Sequence, residues 1–168
     1  MKYMILLLSF GVYLNTCGDT AVTETTIYLV RHAEKDKDGT RDPNLTKSGK
    51  ERAMGLAERL KNEKLTAVYS SDYKRTRQTA QPIADQQNLE IIIYDPRSLD
   101  KLKTNILEKY PAGSKILIVG HSNTTPNVAN LLIGNKMFSP IDESDYDNFY
   151  TITLSKEGKN EAICENCE

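Results

Sequence analysis

The chain alternates between short runs of consecutive apolar residues and longer segments in which apolar residues recur every three or four positions. "TIYLVR" (26–31), "LTAVYS" (65–70), "LEIIIY" (89–94) and "KILIVG" (115–120) are rich in β-branched and aromatic residues, which predicts strands. The last is apolar on both faces, as a central parallel strand should be. Helices are predicted between them. In "LTKSGKERAMGLAERLKN", Ala53, Leu56, Ala57 and Leu60 share one face, and Thr46 is placed to cap the first turn. "YKRTRQTAQPIADQQ" (73–87) turns Thr76, Thr79, Ala80 and Ile83 inward, with Pro82 expected to kink or loosen it. "SLDKLKTNILEKY" carries Leu99, Leu102, Ile106 and Leu107 as its apolar stripe, and "NTTPNVANLLIG" (123–134) is a fourth helix ending at Gly134. "NFYTITLS" (148–155) alternates as a fifth strand, and "NEAICE" (160–165) is a sixth at the edge, with "EGKN" (157–160) as the hairpin turn between them. The β-α-β-α order predicts an α/β fold, a three-layer α/β/α sandwich with a mostly parallel sheet and an antiparallel edge strand.

The first residues break this pattern. "MKYMILLLSFGVYLNTC" has Lys2, then an apolar stretch from about Met4 to Leu14, then polar residues before Cys17. A spanning helix needs about 20 apolar residues, so this stretch reads as a secretory signal. "LNTC" resembles a bacterial lipoprotein cleavage box in which Cys17 becomes the lipidated first residue; the alternative is a plain signal peptide with an incidental cysteine. The expected division is a signal peptide at 1–17, a polar tether at 18–25 and a catalytic domain at 26–168. The expected location is the bacterial cell envelope, as a membrane-anchored lipoprotein or a periplasmic protein.

Composition narrows the function classes. The 168 residues suit one domain, and 22 basic against 23 acidic residues leave no electrostatic footprint for nucleic acid. There are three cysteines. Lipidating Cys17 leaves Cys164 and Cys167 in "CENC", which suits a small structural disulfide in an oxidising compartment. A zinc site would need further ligands, and there is no second CxxC.

In a sheet of this kind ligands bind beyond the carboxyl ends of the strands. Arg31 and His32 end the first strand. Ser70, Ser71 and Asp72 end the second and lead to Arg75. His121 ends the fourth, followed by Ser122 and Asn123 as expected caps of the next helix. The chain has two histidines, and both fall at these ends. Arginines offer rigid paired donors to phosphate oxygens, and a helix N-terminus adds backbone N–H groups. The cluster therefore favours a phosphoryl group, with a neutral imidazole as nucleophile toward phosphorus. Neither GxxxxGK[ST] nor GxGxxG occurs, which disfavours nucleotide-dependent transfer. Which histidine attacks stays open on these grounds.

"LVRHAEK", "YSSDYKRTRQTA" and "ILIVGHSN" resemble the three signatures of the histidine phosphatase (phosphoglycerate mutase-like) superfamily, in the family's order, over roughly Thr26 to Gly134. The resemblance implies that His32 is the nucleophile, phosphorylated and then hydrolysed, and that Arg31, Arg75 and His121 complete the phosphate pocket, with Ser122 and Asn123 beside it. It implies no metal and no cofactor. The implied substrate is a phosphorylated small molecule or a phosphoprotein, and the implied type is a short phosphatase. Many members carry a proton-donating Glu in an insertion after the third strand. Here that loop is only "YDPRS", so Asp95 is the candidate acid and Glu34 the second. The acidic loop "IDESDYDN" (141–148) reads as a solvated connection that could rim the pocket. Three other readings compete: a non-catalytic phosphate-binding or interaction module, a phosphoglycerate mutase-like phosphotransferase, and a metal site of His32, Glu34 and His121, which the arginines disfavour.

Overall fold

The computed structural model describes residues 24–167. The signal segment, Cys17 and most of the tether lie outside the described residues. The elements follow in the predicted order: β1 (Glu24–Arg31), α1 (Lys47–Leu60), β2 (Ala67–Ser71), α2 (Lys74–Gln86), β3 (Ile91–Tyr94), α3 (Leu99–Lys109), β4 (Lys115–Gly120), α4 (Thr124–Ile133), β5 (Phe149–Ser155) and β6 (Glu161–Glu165). Glu24 and Thr25, expected in the tether, instead extend β1 and pair with Ser155 and Leu154. Among the described residues no helix is long and apolar enough to cross a membrane.

One six-stranded sheet runs in the order β3-β2-β4-β1-β5-β6. β3, β2, β4 and β1 are parallel; β5 runs antiparallel to β1, and β6 antiparallel to β5. Strand periodicity splits the core in two. Ile27, Leu29, Ile116 and Ile118 face α3 and α4, where Leu102, Ile106, Val128, Ala129 and Leu132 are buried. Tyr28, Val30, Leu117 and Val119 face α1 and α2, meeting Ala57, Leu60, Ala80 and Ile83. Central strands therefore need apolar residues at successive positions, which is why their sequences do not alternate.

The helix ends follow local chemistry. Thr46 caps α1 as expected, its hydroxyl accepting from the Gly49 N–H at 3.0 Å. α4 closes on Gly134 in the left-handed region, φ 72°, where glycine carries no Cβ penalty. α2 runs continuously through Pro82. Two expectations change. Leu107 is 54% exposed rather than part of the α3 stripe, because Leu102 and Ile106, with Leu99 half-buried beside them, fill the space against the sheet. Ser122 and Asn123 do not cap α4 through their side chains: Asn123 stands at the N-cap without a side-chain bond, and Thr124 Oγ1 accepts from the His121 N–H at 2.9 Å.

The loop after β1 is pressed against α1. A Cβ placed on Gly49 would lie 2.2 Å from the carbonyl oxygen of Glu34, whereas one on Gly55 in the same helix would meet nothing within 4 Å. Gly→Ala inside a helix ordinarily stabilises by about 1 kcal/mol. At Gly49 the backbone contact outweighs this, because forcing atoms into a packed site costs about 1–3 kcal/mol. Gly49→Ala is expected to lower the urea midpoint, and Gly55→Ala to hold or raise it.

Candidate active site

Parallel pairing of β1 with β4 sets Arg31 against Gly120, so the next residues, His32 and His121, leave the sheet side by side. The His32 N–H donates to Gly120 O at 2.9 Å, and the Ala33 N–H donates to Thr79 Oγ1 at 2.9 Å. The backbone of His32 is thus held between β4 and α2. The imidazole rings stand 5.5 Å apart, centroid to centroid, nearly edge to face.

Each ring has a defined tautomer. His32 Nδ1 lies 2.8 Å from Ala33 O. A carbonyl only accepts, so Nδ1 carries the proton and Nε2 keeps its lone pair. His121 Nε2 lies 2.9 Å from Ser71 Oγ, and the Ser71 hydroxyl donates to Thr76 Oγ1 at 3.1 Å. The Thr76 hydroxyl in turn donates to Ser71 O at 2.8 Å. The chain closes if His121 donates from Nε2, which leaves Nδ1 facing Arg75 Nη2 at 3.5 Å.

Both imidazoles are held neutral. Burial lowers the His32 pKa to about 3, against the Ala33 carbonyl, which favours the charged ring, and with further lowering by Arg31, Arg75 and His121. His32 is 3% exposed. Burial also lowers His121, to about 4, helped by Arg75, Arg31 and Lys35 and opposed by Glu143. A cleft of about 320 Å³ opens over the two rings. Arg75, Ser122, Asn123, Lys35, Arg97 and Glu143 line it. Arg75 packs its guanidinium over the Tyr73 ring at 4.4 Å. Its buried Nε and Nη1 have no hydrogen-bond partner among the described residues.

The structure brings His32, His121, Arg75, Ser122 and Asn123 to one cleft. Arg31 lines the separate cleft that also holds Glu34 and Arg52, and meets the histidines' cleft only through its bond to Glu143. Its side chain is 1% exposed, and the 141–148 loop folds over it. Arg31 Nη1 donates to Asp142 O at 2.8 Å and Asp145 O at 2.7 Å, Nη2 to Glu143 Oε2 at 2.9 Å, and Tyr146 stacks on the guanidinium at 4.3 Å. This loop is therefore a structured rim of the cleft.

Neither expected acid reaches the histidines' cleft. Asp95 points to a neighbouring groove beside β3, where it accepts from Arg97 N at 3.0 Å and Arg97 Nε at 3.1 Å. Those bonds to Arg97 hold it below the usual carboxylate range. The "YDPRS" loop thus presents Arg97 to the cleft, not Asp95. Glu34 faces a separate cleft with Arg52, whose Nη2 donates to Glu34 Oε1 at 2.7 Å, and this bonding lowers its pKa. Glu34 therefore does not join the two histidines, and among the described residues no cluster of three or more His, Cys, Asp or Glu is spaced to hold a metal. Sequence reasoning missed Lys35, Arg97 and Glu143. The available signal was direction: β5 runs back from the carboxyl edge, so the loop before it must arrive beside Arg31.

The carboxyl edge of this α/β sandwich joins two neutral histidines to a buried arginine, a chemistry suited to an anion. Comparison with known proteins points the same way. Residues 27–98, less than half of the chain, match the histidine phosphatase superfamily (branch 1). Phosphoserine phosphatase 1 of Hydrogenobacter thermophilus is 39% identical over 99 residues, 51% of this chain and 46% of that protein. A GpmB protein of Enterobacter sp. (strain 638), named as a phosphoglycerate mutase, is 42% identical over 89 residues, 49% of this chain and 40% of that protein. The chain thus spans less than half the length of these curated relatives. A mycobacterial glucosyl-3-phosphoglycerate phosphatase shares the fold at 12% identity with a TM-score of 0.69, covering 86% of this chain and all of that one.

The depressed histidines set a pH dependence. Unfolded, both titrate near 6.5; folded, they stay neutral to about 3 and about 4. Between these values the unfolded chain binds more protons, so stability is full above about pH 6.5 and falls as pH drops toward the folded values. The window from about 7.5 to about 5.5 isolates this effect, because carboxylates with ordinary values near 4 stay largely ionised there. The urea midpoint is expected to fall across that window, less steeply in His32→Gln, while NMR titration shows neither imidazole charging above pH 5.

Proposed function

We propose that the protein is a phosphatase that hydrolyses phosphate monoesters, or a phosphohistidine, through a covalent phosphohistidine on His32. The observation that carries this reading is the His32 tautomer: the proton is fixed on Nδ1 by Ala33 O, and a neutral Nε2 lone pair is left for the cleft. An imidazole held neutral by burial needs no separate base to become nucleophilic. Nε2 attacks phosphorus as the ester oxygen departs. Water then attacks the phosphohistidine, the P–N bond breaks, and inorganic phosphate leaves. Arg75, whose buried Nε and Nη1 have no hydrogen-bond partner among the described residues although Asp42 Oδ1 lies 3.6 Å from Nη1, binds the equatorial oxygens. His121 adds a donor from Nδ1 once the phosphoryl anion draws a proton onto it, and Ser122, Asn123 and the start of α4 bind the rim of the anion. No metal enters these steps. The likeness to the Hydrogenobacter phosphatase supports hydrolysis.

A trapped phosphoenzyme is expected to be acid-labile and absent in His32→Ala, with kcat reduced by about 10³-fold or more. Hydrolysis that persists unchanged in His32→Ala would sink the reading. A second reading, transfer to another hydroxyl, is favoured by the GpmB likeness. It predicts less inorganic phosphate released than ester consumed.

We also propose export with a lipid anchor on Cys17, on the strength of Lys2, the apolar run and the cysteine after it. Mass spectrometry of the mature protein is expected to find a diacylglyceryl-modified Cys17 at the N-terminus. An unmodified Cys17, with Met1 retained or cleavage elsewhere, overturns it.

A further inference from the structure

The proposed reaction lacks an acid, since Asp95 and Glu34 both face other clefts. A departing alkoxide needs a proton. Among the described residues, the one carboxylate lining the histidines' cleft is Glu143, beside His32, Lys35, Arg75, Arg97 and His121. Its position is specific. Oε2 accepts from Arg31 Nη2 at 2.9 Å, and Oε1 accepts from the Ser122 hydroxyl. These are two of the donors expected to hold the phosphoryl group. Before substrate arrives, a carboxylate thus sits on part of the anion's own binding site.

The loop is built so that the side chain alone can leave. Ile141 is buried and its N–H donates to Ser122 O at 2.9 Å. The carbonyls of Asp142 and Asp145 accept from Arg31 Nη1, and Asn148 Nδ2 ties Asp145 Oδ2 at 3.0 Å and Asn166 O at 2.6 Å. The backbone around residue 143 is therefore fixed from both sides. The Glu143 side chain is 71% exposed. Rotation about its own bonds frees Arg31 Nη2 and Ser122 Oγ without moving the loop, and leaves the carboxyl at the cleft rim.

We infer that Glu143 is the proton donor for the leaving group and, before substrate binds, the occupant of part of its anion site. This rests on the phosphatase reading above. Incoming phosphate displaces the carboxylate from Arg31 and Ser122. Stripped of both donors and placed beside an anion, Glu143 holds a proton more readily. That proton comes from the monoanionic ester or from solvent. As the His32 Nε2–P bond forms and the P–O bond breaks, the leaving oxygen takes it. In the second half, water attacks phosphorus, the P–N bond breaks, and the water's proton returns to Glu143.

The test is a leaving-group series on the full chain: 4-nitrophenyl, phenyl and alkyl phosphates, with wild type, Glu143→Gln and Glu143→Asp. General acid catalysis is worth about 10²–10⁴-fold for a poor leaving group. Glu143→Gln is expected to lose about 100-fold or more on alkyl phosphate and less than about fivefold on 4-nitrophenyl phosphate. Glu143→Asp is expected to recover part of the alkyl rate. Inorganic phosphate should inhibit Glu143→Gln at lower concentration than wild type, since no carboxylate competes for Arg31 and Ser122. An equal loss across the series, or no loss, overturns the inference while leaving the phosphatase reading intact, as does unchanged inhibition by phosphate. Failure of that reading looks different: wild type hydrolyses none of the series, or His32→Ala hydrolyses it equally well, and the inference falls with it.

Discussion

A guanidinium buried at the end of β1 constrains everything around it. Arg31 brings five N–H donors and no acceptor, and its side chain is 1% exposed. Burying such a group costs free energy unless most of its donors are met. Two carbonyls and a carboxylate from the 141–148 loop take the Nη donors and Tyr146 stacks on the guanidinium, while Nε has no hydrogen-bond partner among the described residues. The arginine thereby organises the loop, and the loop walls the cleft. Reversing the strand after α4 is what makes this arrangement reachable: β5 starts at the carboxyl edge, with Phe149 paired to Val30.

The same edge determines the state of the histidines. Parallel β1 and β4 end in register, so His32 and His121 emerge as neighbours, the first buried and the second half-buried. Burial is the largest influence on both, and the arginines add to it. Neutrality suits a nucleophile, and the hydrogen bond from Nδ1 to Ala33 O decides which nitrogen is available. Ser71 and Thr76, unremarkable in composition, orient the second ring through a relay of hydroxyls. Cys164 and Cys167 join across the last turn, and Asn166 between them accepts from Asn148. The C-terminal turn thus buttresses the loop over Arg31.

Much of this was legible in the chain. Six strands and four helices were readable because period and composition are local properties, and Thr46 and Gly134 mark helix ends by their own chemistry. The convergence of His32, Arg75 and His121 was readable because parallel topology sends strand ends to one edge. The failures share a cause. Asp95 was expected at the cleft as the acid ending the third strand, Glu34 as a member of the loop that carries His32, and Ser122 as a cap of α4. Where each carboxylate or hydroxyl points depends on which partner reaches it first: Arg97 two residues on, Arg52 across α1, Glu143 from a distant loop. Leu107 failed likewise, since helical spacing cannot say how wide a stripe the neighbouring layer will cover.

By itself, then, the sequence determined the order of elements, the parallel sheet and the set of residues at its reactive edge. These depend on backbone periodicity and on right-handed crossovers, which act over a few residues at a time. Only the tertiary structure decided the protonation of the two imidazoles, the tautomer of His32 and the identity of the carboxylate at the cleft. Those depend on burial and on contacts between residues about a hundred positions apart, such as Arg31 with Glu143, and no local pattern encodes them.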